Sequence, residues 1–94
     1  MKTIVLDGAL MPTRQIAHDY LAARLDLPAY YGKNLDALYD CLTARGEETL
    51  LVVYHPDELR NYLEDYAAAL LATLWEAARD NRKLHIAVDG EESE

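Results

Sequence analysis

The amino-acid sequence predicts an α/β protein with a three-stranded parallel β-sheet flanked by helices, in the order β-α-α-β-α-α-β. Three short apolar segments have the length and composition of strands. The two connections between them are long and show helical periodicity, so we expect parallel pairing with right-handed crossovers. With 94 residues, 51% of them hydrophobic, the chain is expected to form one compact domain over residues 1–89.

The chain begins with a predicted strand and a capped helix. Residues 3–6 are β-branched or apolar, and the Asp-Gly pair that follows them is typical of a turn. Apolar side chains then recur at helical spacing after Thr13, which is a favourable N-cap residue. We therefore predict a helix over residues 13–25.

A loop and a second helix follow. Residues 27–32 predict the loop, because Pro28 prevents the first helix from continuing and Gly32 permits a tight turn. Asn34 is a good N-cap for the next helix. Its apolar residues recur at i, i+3, i+4 and i+7, namely Leu35, Leu38, Tyr39 and Leu42. This pattern predicts a helix that buries its leucine side and exposes the opposite side.

The exposed side of this second helix carries two acidic residues. Asp36 and Asp40 are four residues apart and so lie on one face, with Thr43 one turn further on. Like charges at this spacing destabilise an isolated helix by a few tenths of a kcal/mol. Aspartate also competes for backbone hydrogen bonds within a helix. Both effects are unfavourable for the helix, and both aspartates are nevertheless present. We therefore expect the two carboxylates to recognise something positively charged outside the helix.

The second half of the chain repeats the strand and helix pattern. Residues 50–54 form a continuous apolar run, which predicts a strand covered on both faces. Pro56 suits the first position of a helix and is followed by two acidic residues near its positive end. A further helix is predicted over residues 67–81, with its alanines allowing close packing. The last strand is predicted over residues 84–88.

Charge and cysteine content narrow the function classes. The formal net charge of −8 argues against nucleic acid as a partner, because phosphates would be repelled. Residues 90–94 predict an acidic, disordered tail. Cys41 is the only cysteine, so no intramolecular disulfide is possible. With no signal peptide and no membrane-spanning stretch in the sequence, we predict a cytoplasmic protein without membrane contact.

Residues 27–43, LPAYYGKNLDALYDCLT, carry a specific resemblance. They follow the pattern Tyr-Tyr-Gly, then Asn-Leu-Asp-Ala-Leu-aromatic-Asp, and in this the chain resembles the barstar family of intracellular inhibitors of barnase-type secreted ribonucleases. The resemblance implies a barstar-like three-layer fold. It also implies a one-to-one heterodimer with a barnase-like, guanyl-specific ribonuclease, and an inhibitor that is monomeric when free.

The resemblance assigns partner contacts to the loop, the second helix and one later residue. It implies that Asp40 occupies the site of the RNA phosphate and that Asp36 contacts basic residues beside it. Tyr30 would pack on the catalytic histidine of the enzyme. The remaining predicted contact residues support the loop or extend the interface, and these are Gly32, Asn34, Tyr39, Thr43 and Glu76.

Two positions depart from the family pattern. Tyr39 stands where the prototype has tryptophan, which exchanges one aromatic ring for another. Arg45 stands where another interface tryptophan is expected, and we expect it to turn a positive charge towards the basic partner. Of the tyrosine pair in the loop, Tyr30 is expected to be exposed and Tyr31 partly buried.

Other residues are interpreted as structural. Cys41 and Trp75 are expected in the core. The three histidines lie on separate predicted elements without metal-ligand spacing, so no metal site is predicted.

Paired carboxylates can act as general acid and base or hold magnesium through water. Here no nucleophile, phosphate loop or glycine-rich turn accompanies them, so we expect neither an enzyme nor a cofactor.

Two alternatives to a ribonuclease inhibitor stay open at the level of sequence. The first is a barstar-like adaptor that uses the same acidic face to bind a basic protein that is not a nuclease. The second is a small acid-catalysed hydrolase, which predicts turnover that Asp36→Asn abolishes.

Overall fold

A computed structural model describes residues 1–89 and confirms the predicted α/β fold. The predicted tail at 90–94 lies outside the described residues. The elements in chain order are β1 (Lys2–Asp7), a 3-10 helix (Gly8–Leu10), α1 (Arg14–Leu25), α2 (Leu35–Thr43), β2 (Thr49–Tyr54), α3 (Pro56–Leu63), α4 (Asp65–Asp80) and β3 (Leu84–Val88). The short 3-10 helix after β1 is an addition to the predicted order, and α4 begins two residues earlier than predicted.

The three strands form a parallel sheet in the order β1-β2-β3. Val5 pairs with Val52, and Val52 with Ala87, so these three residues form one row across the sheet. That row is half-buried, whereas the neighbouring row of Leu51 and Ile86 on the other face is buried. The central strand, predicted to be covered on both faces, is thus buried on one face and half-buried on the other, because the helices cover one face more completely.

The core is built mainly from leucines of α2 and α4 together with the buried face of the sheet. Leu38 and Leu42 of α2 are fully buried, and so is Ala77 of α4, where a small side chain permits close helix packing. Trp75 and Cys41 are only half-buried at the edge of this core. Both had been expected inside it, and burial nevertheless raises the pKa of the Cys41 thiol.

Side chains of α1 cover the free edge of β1. The Nε of Arg24 donates a hydrogen bond to the carbonyl oxygen of Val5 at 3.1 Å. The Tyr20 hydroxyl accepts one from the backbone N–H of Asp7 at 2.9 Å. Alternate peptide groups on the outer side of an edge strand lack a neighbouring strand. These two contacts satisfy the carbonyl group of Val5 and the N–H group of Asp7.

An ion pair joins β1 and β2 at their carboxyl ends. His55 adopts a left-handed conformation (φ 55°) just before Pro56 begins α3. Its Nδ1 lies 2.7 Å from Asp7 Oδ1. The hydrogen bond to Asp7 raises the pKa of His55. Burial opposes ionisation of Asp7, but hydrogen bonds from Ala9 and His55 together lower its pKa.

In residues 1–89, no helix has the length and apolar character needed to cross a membrane.

Candidate protein-binding site

The acidic face of α2, formed by Asp36 and Asp40, is exposed as the sequence predicted. The opposite side of the helix is anchored by Leu38 and Leu42, which are fully buried. This packing fixes the direction in which the carboxylates project. Within residues 1–89 neither carboxylate makes an ion pair or a side-chain hydrogen bond. Both charges are therefore available to an external partner.

Asn34 connects the loop to the start of α2. Its Oδ1 accepts a hydrogen bond from the backbone N–H of Ala37 at 2.7 Å, which confirms the predicted N-cap. Its Nδ2 donates to the carbonyl oxygen of Gly32 at 3.2 Å. One side chain thus caps the helix and holds the end of the loop.

The loop turns tightly against the helix at Gly32. A Cβ on this residue would lie 3.3 Å from Asn34 Nδ2 and 3.5 Å from Ala37 Cβ, so glycine is favoured by close approach. The left-handed position in the turn is the next residue, Lys33, with φ 56°. Its ammonium lies 2.8 Å from Asp19 on α1, and this ion pair ties the turn to the first helix.

The two adjacent tyrosines of the loop have opposite roles. Tyr30 is 87% exposed, as predicted, and is the most exposed large hydrophobic side chain among the described residues. Tyr31 is 7% exposed, which is more buried than expected. Tyrosine combines an apolar ring with a polar hydroxyl group, so the exposed Tyr30 is suited to contact another molecule.

A buried histidine that the sequence analysis did not single out anchors Tyr31. His18 of α1 is 2% exposed, with Nδ1 2.5 Å from the Tyr31 hydroxyl and Nε2 2.6 Å from the Tyr66 hydroxyl. Burial lowers the pKa of His18 and raises those of both tyrosines, so all three groups are neutral near pH 7. A neutral imidazole has one donor and one acceptor, so one tyrosine donates to it and the other accepts. We name this arrangement the His18 clamp, since it fastens the loop to α1 and α4.

The remaining predicted contact residues lie on the part of α2 that is next to α4, or on α4 itself. The Tyr39 hydroxyl donates to Asp80 of α4, and this bond raises the pKa of Tyr39. Glu76, also on α4, is exposed and close enough to Tyr39 to influence the same pKa. The Thr43 hydroxyl donates within α2 to the carbonyl oxygens of Tyr39 at 2.9 Å and Asp40 at 3.2 Å. Asp80 also pairs with Arg79 at 3.2 Å, so among these residues Glu76 is the one that adds a negative charge, unpaired within residues 1–89, beside α2.

Arg45 does not present its charge outwards as expected. Its side chain is 14% exposed. Its Nε donates to Thr49 Oγ1 at 2.9 Å, and its Nη1 donates to the carbonyl oxygen of Leu25 at 3.1 Å. Leu25 ends α1, where carbonyl groups lack helical partners and favour a cation. The guanidinium therefore stabilises the fold. Its contact with the end of α1 could not be predicted from the sequence alone.

In residues 1–89, no three His, Cys, Asp or Glu side chains come together in an arrangement that could hold a metal ion.

Fold and site together define a small α/β protein that presents an acidic helix next to a firmly anchored loop. The chain belongs to the barstar family, because the family model described as "Barstar (barnase inhibitor)" matches residues 1–89. It is also similar to the Bacillus subtilis (strain 168) protein named "Putative ribonuclease inhibitor YrdF". The two are 40% identical over 81 residues, which span 85% of this chain and 89% of that protein. The family resemblance predicted from residues 27–43 is thus confirmed.

Proposed function

We propose that this protein is a cytoplasmic inhibitor of a barnase-like secreted ribonuclease and that it acts by occluding the active site of that enzyme. Residues 1–89 would act as one unit and form a one-to-one complex with the guanyl-specific nuclease. The inhibitor would carry out no reaction and need no cofactor. A cell that makes such a nuclease would be protected from molecules that fail to be secreted.

One observation carries this proposal: Asp36 and Asp40 project from one face of a helix held by buried leucines, and no cation within residues 1–89 neutralises them. A ribonuclease must present cationic groups to bind the phosphate and stabilise its transition state. Carboxylates satisfy those groups through charge-assisted hydrogen bonds. Because a carboxylate contains no scissile phosphodiester bond, it occupies the site without being cleaved.

The roles within the interface follow from position. Asp40 would replace the RNA phosphate, and Asp36 would contact basic groups beside it. Tyr30, exposed at the tip of the loop, would pack on the catalytic histidine of the enzyme. Gly32 and Asn34 would keep the loop in place, since the Asn34 side chain bonds both to the loop and to α2.

The edge of the interface would lie towards α4. Glu76 is exposed on that helix and would pair with a further arginine of the nuclease. Tyr39 and Thr43 lie between this acid and the centre of α2. Their hydroxyls are already engaged within the protein, so they would contribute contact area rather than new hydrogen bonds.

The proposal is tested by titrating a barnase-type ribonuclease with the purified protein and following RNA cleavage. Cleavage should stop at one equivalent of wild type, and it should continue with the Asp36→Asn/Asp40→Asn double variant, which keeps the shape of both side chains. The control is Asp57→Asn, an exposed acid on α3 that should leave inhibition unchanged. Full cleavage in excess wild-type protein would contradict the proposal. Capture of a basic protein without nuclease activity would then favour the adaptor alternative.

A further inference from the structure

A positively lined pocket adjoins the acidic face of this negatively charged protein. It has a volume of about 460 Å³ and opens between the start of α1, the end of the loop and α4. The residues that line it are Arg14, Gln15, His18, Lys33, Asn34 and Tyr66. Two of these residues are cations and none is an acid, although acids outnumber bases 17 to 9 in the whole chain. We name this cavity the Arg14–Lys33 pocket.

Arg14 lies where its charge is unfavourable for its own helix. It is the first residue of α1, and the first turn of that helix contains no acid. A cation at the positive end of a helix opposes the macrodipole. The guanidinium carbon lies 4.2 Å from the centre of the Tyr66 ring, which holds the group over the pocket. Within residues 1–89 Arg14 makes no ion pair, so the guanidinium on the Tyr66 ring can still bind a carboxylate from outside the protein.

Lys33 lines the same pocket from the turn before α2. Its backbone is left-handed (φ 56°), a conformation that is unfavourable for a non-glycine residue. The ion pair with Asp19 holds the ammonium by one contact at 2.8 Å, and the side chain is still 54% exposed. An ammonium has three donors, so Lys33 can bind a second acceptor at the pocket without losing Asp19.

The inner wall of the pocket is the His18 clamp. His18 and Tyr66 use their polar atoms on each other and on Tyr31, so they offer an apolar, already satisfied surface below the two cations. Such a surface reduces the exposure of a bound anion to water and strengthens its attraction to the cations. The pocket is therefore suited to an anionic group on a short apolar stem.

We propose that the Arg14–Lys33 pocket receives one carboxylate side chain, Asp or Glu, of the partner protein. This inference rests on the proposed function and adds a second, oppositely charged contact to it. Lys33 and Asn34 belong to the same turn that carries the loop onto the acidic face, so a partner that covers this face also covers the mouth of the pocket. The protein would then recognise groups of both charges on the partner. A basic cleft would contact Asp36 and Asp40, and an acid beside that cleft would contact Arg14 and Lys33. Paired charges of opposite sign fix the register of an interface.

The test compares Arg14→Gln and Lys33→Gln with Lys2→Gln in binding to a barnase-type ribonuclease. Each change removes one positive charge, but Lys2 lies at the start of β1 and pairs only loosely with Glu47, at 3.9 Å. If net charge alone mattered, all three variants would bind a basic enzyme at least as tightly as wild type. We expect instead that Arg14→Gln weakens binding about 10-fold, Lys33→Gln somewhat less, and Lys2→Gln not at all. Thermal unfolding of each variant checks that the fold is retained.

The acid on the enzyme is then found by a double-mutant cycle. Acidic residues around the active-site cleft of the nuclease are changed singly to amides, and each is combined with Arg14→Gln. Coupling of about 5-fold or more between Arg14 and one acid supports the proposal, since residues in direct contact are non-additive. Additive effects for every acid would overturn it.

The possible outcomes separate this inference from the proposed function. If wild type inhibits the nuclease but Arg14→Gln behaves like Lys2→Gln, the pocket assignment is wrong and the inhibitor assignment stands. If wild type does not inhibit, both are wrong. The alternative ligand is a small free anion rather than a side chain of the partner. It is tested by adding inorganic phosphate to the free protein and monitoring the NMR signals of the Arg14 side chain. Binding of phosphate without any effect of Arg14→Gln on the complex would identify a small-anion site and overturn the partner contact.

Discussion

Two regions of this molecule use carboxylates in opposite ways. At the carboxyl end of the sheet, Asp7 is paired with His55 at 2.7 Å and also accepts a hydrogen bond from Ala9. On α2, Asp36 and Asp40 are exposed and find no partner within residues 1–89. The first carboxylate joins two strands, whereas the other two add repulsion to their own helix. Acids without internal partners are therefore the ones to test for recognition.

The strongest test of this comparison is Asp40→Ala. We expect the free energy of binding to a barnase-type ribonuclease to fall by about 3 kcal/mol or more, because removal of one member of a desolvated charge pair leaves the other unsatisfied. The free energy of unfolding should not decrease, since the change removes repulsion within α2. Calorimetric titration and urea unfolding measure the two quantities. A binding loss under about 1 kcal/mol would argue against the phosphate-site role.

The second test concerns the support of the loop rather than its charges. His18→Leu should lower the free energy of unfolding by about 2 kcal/mol, because the hydroxyls of Tyr31 and Tyr66 lose their common partner in a largely buried site. Urea denaturation is the measurement. The control is His85→Leu, which removes a more exposed histidine that bonds to Glu48 at 2.6 Å, and its effect should be much smaller. Equal losses for the two variants would contradict the clamp.

The third test addresses the long-range effect of the acidic face. The association rate with the nuclease should fall about 10-fold or more between roughly 0.01 M and 1 M salt, because the Debye length shrinks from about 30 Å to about 3 Å. Asp36→Asn should flatten this dependence, and stopped-flow mixing measures it. Asp57→Asn removes an acid from the exposed surface of α3 and should leave the slope nearly unchanged. A rate that does not respond to salt in wild type would exclude electrostatic steering.

The smallest expected effect is a pH dependence at the paired carboxylate. The pKa of His55 is raised in the folded state, so its contribution to stability is complete below the ordinary histidine pKa and is lost as pH rises through the raised value. The contribution of His18 depends on pH in the opposite direction. Its pKa is lowered in the folded state, so its contribution to stability is lost as pH decreases. The difference in unfolding free energy between wild type and His55→Asn, measured across this range, isolates the His55 term. Asparagine tolerates the left-handed backbone at this position, and a difference independent of pH would contradict the pairing.

The sequence was sufficient for the elements of the fold because their signals are local. These signals act within a few residues, and they are the apolar runs, the N-cap at Asn34 and the proline at the start of α3. The ends of the predicted helices and strands differ from the observed ends by about two residues or fewer. The 3-10 helix after β1 was missed, since three residues are too few to show a period. The exposure of Asp36 and Asp40 followed directly from the buried leucines of the same helix.

The parts of the site that the sequence did not predict depend on residues far apart in the chain. His18 meets Tyr31 across 13 residues and Tyr66 across 48, and no local pattern indicates either contact. Arg45 was misplaced for the same reason, because the carbonyl group that holds it belongs to Leu25, which is 20 residues away. A polar residue on the inner side of a predicted helix, such as His18 next to the buried Ala17, is the signal that could have pointed to the clamp.

The covering of β1 by α1 has a consequence for behaviour at high concentration. An uncovered outer strand is a template to which a second chain can add, and this is how many sheet proteins begin to aggregate. Here Arg24 and Tyr20 already occupy peptide groups of Val5 and Asp7 on that side. With these two groups already bonded, this edge offers fewer peptide groups to which the strand of a neighbouring copy could pair.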